Sequence, residues 1–163
     1  MKTGPFATQD LNRRFKHFDI GLAEALAALC VRRSASDFGA GLGLYGRYVA
    51  GVATSVFCYD GTPGVDVATD GFVSVVDLAR PCCLPVTNVV WSIEVGEHIP
   101  QEFEQAFAAN IMRHATNFAV VSWAVRGQPG RNHVNCKDPA EVVELFRLVG
   151  GVLNATMTNE IRV

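Results

Sequence analysis

The sequence predicts an α/β fold: a doubly wound, mostly parallel sheet of about six strands with helices on both faces. Three observations point there. Short apolar runs alternate with helix-patterned stretches, as in strand–helix–strand units joined by right-handed crossovers. Several runs are hydrophobic throughout instead of alternating, as strands covered on both faces are. Residues 36–48, SDFGAGLGLYGRY, then place an acid and a series of glycines between an apolar stretch and a helix-compatible one. That order is how α/β proteins build a nucleotide pocket.

The elements follow in turn. Residues 10–33 read as a helix, with Asp10 placed to cap it and Phe15, Phe18, Leu22, Leu26 and Leu29 recurring at three- and four-residue steps. The first strand is expected over 32–36, although β-branched residues are scarce there, because a glycine turn of this kind follows a strand. A short helix at about 44–51 leads to TSVFCY at 54–59, ended by the turn signal Asp60-Gly61-Thr62-Pro63. GFVSVVD at 71–77 is the third strand, stopped by Arg80-Pro81, and VVWSIEV at 89–95 is the fourth. Residues 102–114 are helical, with Phe103, Phe107 and Ile111 on one face. FAVVSWAV at 118–125 is a fifth strand, buried by its composition. The polar loop at 126–138 is too long for a mere connector and is a candidate substrate loop. Pro139 opens another helix with Val142, Val143, Phe146 and Val149 on its apolar face, and 152–157 is expected as a sixth strand. No repeat or linker divides the chain, so 1–163 is read as one domain.

Composition narrows the function classes. A hydrophobic content of 49% and a charged content of 18% suit a globular domain. A net charge of -2 and only small basic clusters, Arg13-Arg14 with Lys16 and Arg32-Arg33, give no nucleic-acid surface. No apolar run reaches the roughly 18 residues of a membrane helix, and the start of the sequence shows no signal-peptide pattern. The five cysteines are odd in number and lack CxxC spacing, so reduced thiols and a cytoplasmic location are expected.

Two frames overlap in the glycine stretch. Gly41-x-Gly43-x-x-Gly46 matches a dinucleotide fingerprint, with Asp60 near the distance of a ribose-binding acid. The other frame is Asp37-x-Gly39-x-Gly41-x-Gly43. It fits better, since Asp37, Phe38 and Gly39 stand where the dinucleotide frame wants apolar strand residues, and Gly46 then serves helix packing. A dinucleotide enzyme also needs a second mononucleotide half, for which 163 residues leave little room.

DFGAGLGLYGRYV, YDGTPG, VVDL and VVWSIEVGEHIP, in that order, resemble the class I S-adenosylmethionine-dependent methyltransferases, a Rossmann-like family. Within it they are similar to small methyltransferase-domain proteins with an EVGEHIP segment and a later SWAVRGQPGRNHVN loop. The resemblance runs from about 12 to 160. It implies S-adenosyl-L-methionine as cofactor and methyl transfer to a small-molecule acceptor. Gly39, Gly41 and Gly43 would lie under the methionine part, with Asp37 near its amino group. Asp60, with Gly61, would accept from the ribose hydroxyls. Asp77 and Leu78 would meet the adenine, and Ser92, Ile93 and Glu94 would line the cofactor beside its methyl group. A nicotinamide-dependent oxidoreductase and a non-catalytic binding or assembly module are the rival readings.

For catalysis, His98 is a candidate general base, since imidazole titrates near neutrality. Its rival role is to fix the turn before Pro100. Glu94, Glu97 and His98 superficially resemble a metalloprotease signature, but they leave a strand instead of sharing a helix face and lack an evident third ligand, so no metal is expected. His133, in the 126–138 loop, is the second catalytic candidate, with Trp123, Arg131 and Asn135 as substrate contacts. His17 and His114 are expected at the surface of helices. The family normally adds two strands after the fifth, the last antiparallel. For that antiparallel strand three alternatives stand open: a shortened domain, a truncated sequence, or a second subunit that completes the sheet, since an unfilled sheet edge would favour a homodimer.

Overall fold

In a computed structural model of the chain, residues 18–161 are described. Helix α1 (Ile20–Cys30) is capped by Asp19, whose carboxylate accepts from the Leu22 amide. The Asp10 cap and the first part of the expected helix lie outside the described residues. Strand β1 (Ser34–Phe38) leads through the glycine turn into α2 (Leu44–Val49), and β2 (Ser55–Asp60) into a single turn, α3 (Val65–Ala68). After β3 (Val73–Val75) and β4 (Thr87–Ser92), two 3₁₀ turns (Gly96–His98 and Gln101–Phe103) precede α4 (Glu104–His114). Strand β5 (Ala115–Val121), the 126–138 loop, α5 (Pro139–Leu148) and α6 (Ala155–Ile161) complete the described chain.

The sheet order is β3-β2-β1-β4-β5, and every pair is parallel. The chain therefore winds outward from β1 in one direction to β3, then returns to β4 on the other side of β1. That reversal opens a crevice at the carboxyl ends of β1 and β4, where α/β sheets take ligands.

Strand β1 has little intrinsic β preference, yet its residues 35–38 are all buried. Position decides it: β1 is held on one edge by β2 and on the other by β4, so ladder hydrogen bonds outweigh propensity. Its small residues let the flanking layers close in. One face carries Ala35 with Val89 and Trp91 against Leu26, Cys30 and Val49. The other carries Phe38 and Val90 against Phe107, Ile111, Trp123 and Leu145. The β3–β4 crossover contains no helix. Instead, Asn110 donates to the carbonyls of Leu78 and Arg80 and accepts from the Cys82 amide, while His114 Nε2 accepts from the Leu84 amide. His114 is thus a buried clamp, 2% exposed, and not the surface residue its helix position suggests.

Two expectations change. The sixth strand does not form: the Asn154 side chain accepts from the Met157 amide, and this cap starts helix α6 over residues expected to be extended. Among the described residues the sheet has five strands. The second change concerns β5, which carries only intermediate or exposed residues and pairs, among the described strands, with β4 alone. Its apolar composition suggested burial on both faces.

Candidate functional site

The site is built where β1, β2, β3 and β4 end side by side. Strand β1 stops at Phe38, so the turn begins at Gly39 and the glycines at 39, 41 and 43 occupy it, all with positive φ. Gly39, at φ 89°, could not carry a side chain, since a Cβ there would fall within the methyl groups of Val95. Gly46 lies inside α2 against the Cys58 sulfur, a helix-packing position.

The turn is strapped to β2. The Gly39 and Ala40 amides donate to the Tyr59 carbonyl at 2.8 and 2.9 Å. The Gly41 amide donates to Asp60 Oδ2 at 2.8 Å, and the Thr62 amide to Asp60 Oδ1 at 2.8 Å. Asp60, 5% exposed, therefore holds both its own turn and the glycine turn. Gly61 lies between Asp60 and Thr62 in that turn. Across β1, the Ser92 hydroxyl donates to the Phe38 carbonyl at 2.7 Å and latches the ends of β1 and β4 together.

Asp37 is the last acid before the turn and faces Trp91 on β4. It is 3% exposed, and its Oδ2 has no hydrogen-bond partner among the described residues. Burial raises its pKa from 3.8 to about 7. The Trp91 indole counters burial, Asp60 adds repulsion and the Gly46 amide lowers the value again. The Trp91 N–H is near enough to favour the carboxylate but meets no acceptor with hydrogen-bond geometry. An orphaned buried carboxylate oxygen beside a glycine turn is costly unless a donor arrives from outside the protein.

Farther along the crevice, Asp77 accepts from the Ala79 amide at 3.1 Å and faces Arg80 at 3.5 Å, while Leu78 is buried beside it. Beyond β4, Glu94 adopts φ 54°, a left-handed conformation that a non-glycine residue keeps only when its surroundings hold it there. They do: the Ser122 hydroxyl donates to Glu94 Oε1 at 2.8 Å and Gln128 to Oε2 at 3.1 Å. Glu94 thereby joins the end of β4 to the end of β5 and to the loop.

The 126–138 loop folds down on the 96–98 turn. The Val134 and Asn135 amides both donate to the Glu97 carbonyl, at 2.9 and 3.0 Å. Trp123, which lies over Gly96 so closely that a Cβ there would enter its ring, donates through Nε1 to the Asn135 carbonyl at 2.6 Å. The Asn135 side chain and Lys137 both reach Glu104, at 2.8 and 2.9 Å. Arg126 grips Glu141 in a bidentate pair at the start of α5, where Asp138 and Glu141 form a capping box. Trp123 and Asn135 are thus buried parts of the loop's foundation, whereas Arg131 is exposed on its tip.

This folding brings together residues that the sequence keeps apart. His98 and His133 stack edge to face with ring centroids 5.1 Å apart. The Nε2 atom of each ring lies 3.9 Å from Glu97 Oε1. Glu97 is fully buried. The third group that the Glu97-His98 pair lacked in sequence is His133, 35 positions after His98. No local spacing rule connects them. Gln128, Glu104 and Lys137 were also not anticipated, since their roles depend on where the loop lands.

No protein-family model matches the chain, and no curated protein matches it. Solved structures do. The chain is similar to the TehB-like SAM-dependent methyltransferase of Corynebacterium glutamicum, with 21% identity, 88% of this chain and 82% of that chain covered, and a TM-score of 0.71. It is similar to the N-methyltransferase NodS of Bradyrhizobium japonicum in complex with S-adenosyl-L-homocysteine, with 12% identity, 91% and 86% covered, and a TM-score of 0.66. It is also similar to the cyclase SpnF, with 16% identity, 79% and 55% covered, and a TM-score of 0.63. The chain has the class I methyltransferase fold. The cyclase shows that this fold hosts more than one chemistry.

Proposed function

We propose that this chain binds S-adenosyl-L-methionine and transfers its methyl group to a small-molecule acceptor. One observation carries the reading: β1 ends one residue after a buried acid with an orphaned oxygen, directly below a turn of positive-φ glycines. A cationic amino group is the donor that such an oxygen lacks, and the glycines let a ligand approach the backbone. The cofactor supplies a methyl group already activated on a sulfonium. The chain's work is then alignment of donor and acceptor, which accounts for much of the barrier in such displacements.

In this reading Asp37, Gly39, Gly41 and Gly43 hold the methionine part, and Asp60 with Gly61 takes the ribose. Each Asp60 oxygen accepts a backbone amide, and a carboxylate oxygen carries two lone pairs. Asp77 and Leu78 take the adenine, while Ser92, Ile93 and Glu94 border the methyl group. His98 and His133 are the candidates for removing the acceptor's proton. Arg131 contacts the acceptor, and Trp123 and Asn135 hold the loop that shapes its pocket. A net charge of -2 argues for a small acceptor over nucleic acid. All five cysteines are free, which suits the reducing cytoplasm. No helix among the described residues is long and apolar enough to cross a membrane. A second copy would dock along the outer edge of β5, which no other described strand covers, and light scattering of the purified protein would report a dimer.

The test is ligand-induced stabilisation. At 100 times its Kd, S-adenosylhomocysteine should add about 2.7 kcal/mol, a rise in Tm of roughly 5–11 °C. A shift with NAD alone would establish the oxidoreductase reading instead. No shift with either would leave the binding or assembly module.

A further inference from the structure

We propose that Glu97, His98 and His133 form a site for a divalent transition-metal ion at the foot of the 126–138 loop. One potential ligand atom from each residue lies within 4.8 Å of the others. Glu97 Oε1 is 3.9 Å from each imidazole Nε2, too far for a hydrogen bond. Ligands held 2.0–2.2 Å from a tetrahedral metal stand about 3.3–3.6 Å from one another. Each carboxylate–imidazole pair needs to draw in by about half an ångström, and the set as a whole, spread over up to 4.8 Å, by up to about 1.5 Å.

The orientation of the rings is the second observation. His98 Nδ1 meets the Asn132 carbonyl at 3.1 Å, and His133 Nδ1 meets the Gln128 carbonyl at 3.3 Å. A carbonyl only accepts, so each ring donates from Nδ1 and turns the lone pair of Nε2 toward the carboxylate. Histidines that ligate metals are oriented in this way by a carbonyl or carboxylate behind them. Burial is the third. The side chains of Glu97, His98 and His133 are 1%, 10% and 13% exposed, so the three groups converge where water screens little.

The rest of the loop keeps these positions. The Glu97 carbonyl is held by the Val134 and Asn135 amides, which directly follow His133 in the loop. Nitrogen and carboxylate ligands in this ratio suit zinc, iron(II), cobalt(II) or manganese(II) better than calcium or magnesium. The site lies two residues beyond Val95, whose methyl groups pack over Gly39, so it borders the proposed cofactor pocket. Resting on the methyltransferase reading, and replacing the base role of His98 and His133 there, the ion would select acceptors that offer it an oxygen ligand, such as a phenol, an enol or a carboxylate, and would hold that oxygen in place.

Cobalt(II) is the probe, because its visible absorption reports coordination without any need for cofactor or turnover. Titration of the full chain should give saturable binding of one ion with ligand-field bands, and His98→Gln and His133→Gln should each weaken binding by about 100-fold or more. Glu97→Gln should do the same, but it changes a fully buried residue. His133→Gln, on the loop, keeps the test valid if that variant does not fold, with circular dichroism as the check. Absence of saturable binding, or binding that both histidine variants retain, would overturn the proposal. Cobalt binding with no response to S-adenosylhomocysteine would keep the metal site and reject only the cofactor reading.

Discussion

Replacing Asp37 by Asn should make the protein more stable at pH 8 and a poorer binder of S-adenosylhomocysteine. Burial raises the Asp37 pKa from 3.8 to about 7. The folded state therefore favours the protonated acid, and this contribution to stability is complete below pH 3.8 and is lost as the pH rises through 7. At about 1.36 kcal/mol per pKa unit, the whole shift corresponds to an upper bound of roughly 4 kcal/mol lost by pH 8. Asparagine has nearly the same shape and never ionises. Urea unfolding at pH 5 and pH 8 should then show the variant gaining up to about 2.6 kcal/mol on the wild type between the two conditions. Binding should move the other way. The ionised carboxylate is the form that accepts from a cationic amino group, so wild-type affinity should rise up to about tenfold per pH unit from 5 toward 7 and level off above. Calorimetric titration of the variant should show a weaker and pH-independent affinity in that range. A wild type and variant that differ by a constant amount at both pH values would refute the burial argument. An unchanged affinity in the variant would remove Asp37 from the cofactor site.

Other consequences are more local. Asp60→Asn turns an amide group toward one of the two backbone N–H donors it now accepts from, and should cost about 1–3 kcal/mol in chemical denaturation; homocysteine-analogue binding should weaken with it. Gly96→Ala forces a methyl group into the Trp123 ring and should destabilise by about 1–3 kcal/mol, with intrinsic tryptophan fluorescence shifting as the ring moves; a change within experimental error would show the contact to be slack. Lys137→Met leaves the partly buried Glu104 with the Asn135 amide as its partner among the described residues, so stability should fall by about 1–3 kcal/mol, and hydrogen exchange across 126–138 should quicken.

Much of the fold was legible because its signals are local. The DFGAGLG run states its own turn through residues a few positions apart, and periodic stripes such as Phe103, Phe107 and Ile111 state their own helix. The acids at 37, 60 and 77 could be placed at strand ends from the turn signals beside them. The errors share one origin. Residues 152–157 have strand-like composition, but the Asn154 cap claims the backbone first. β5 has a buried strand's composition but an edge strand's neighbours, and composition does not record neighbours. His114 looks like an ordinary helix-surface histidine until the Leu84 amide arrives from 30 residues away.

The amino-acid sequence alone determined the α/β class, the frame of the glycine turn and the set of acids around it, because each depends on short-range backbone chemistry. Tertiary structure decided what those groups face. It set the β3-β2-β1-β4-β5 order, buried Asp37 beneath its turn and occupied both Asp60 oxygens with amides. It also carried His133 across the molecule to Glu97 and His98. Contacts of that kind are made by the packing of whole elements, and their energies depend on burial, which no stretch of sequence possesses until the chain has folded.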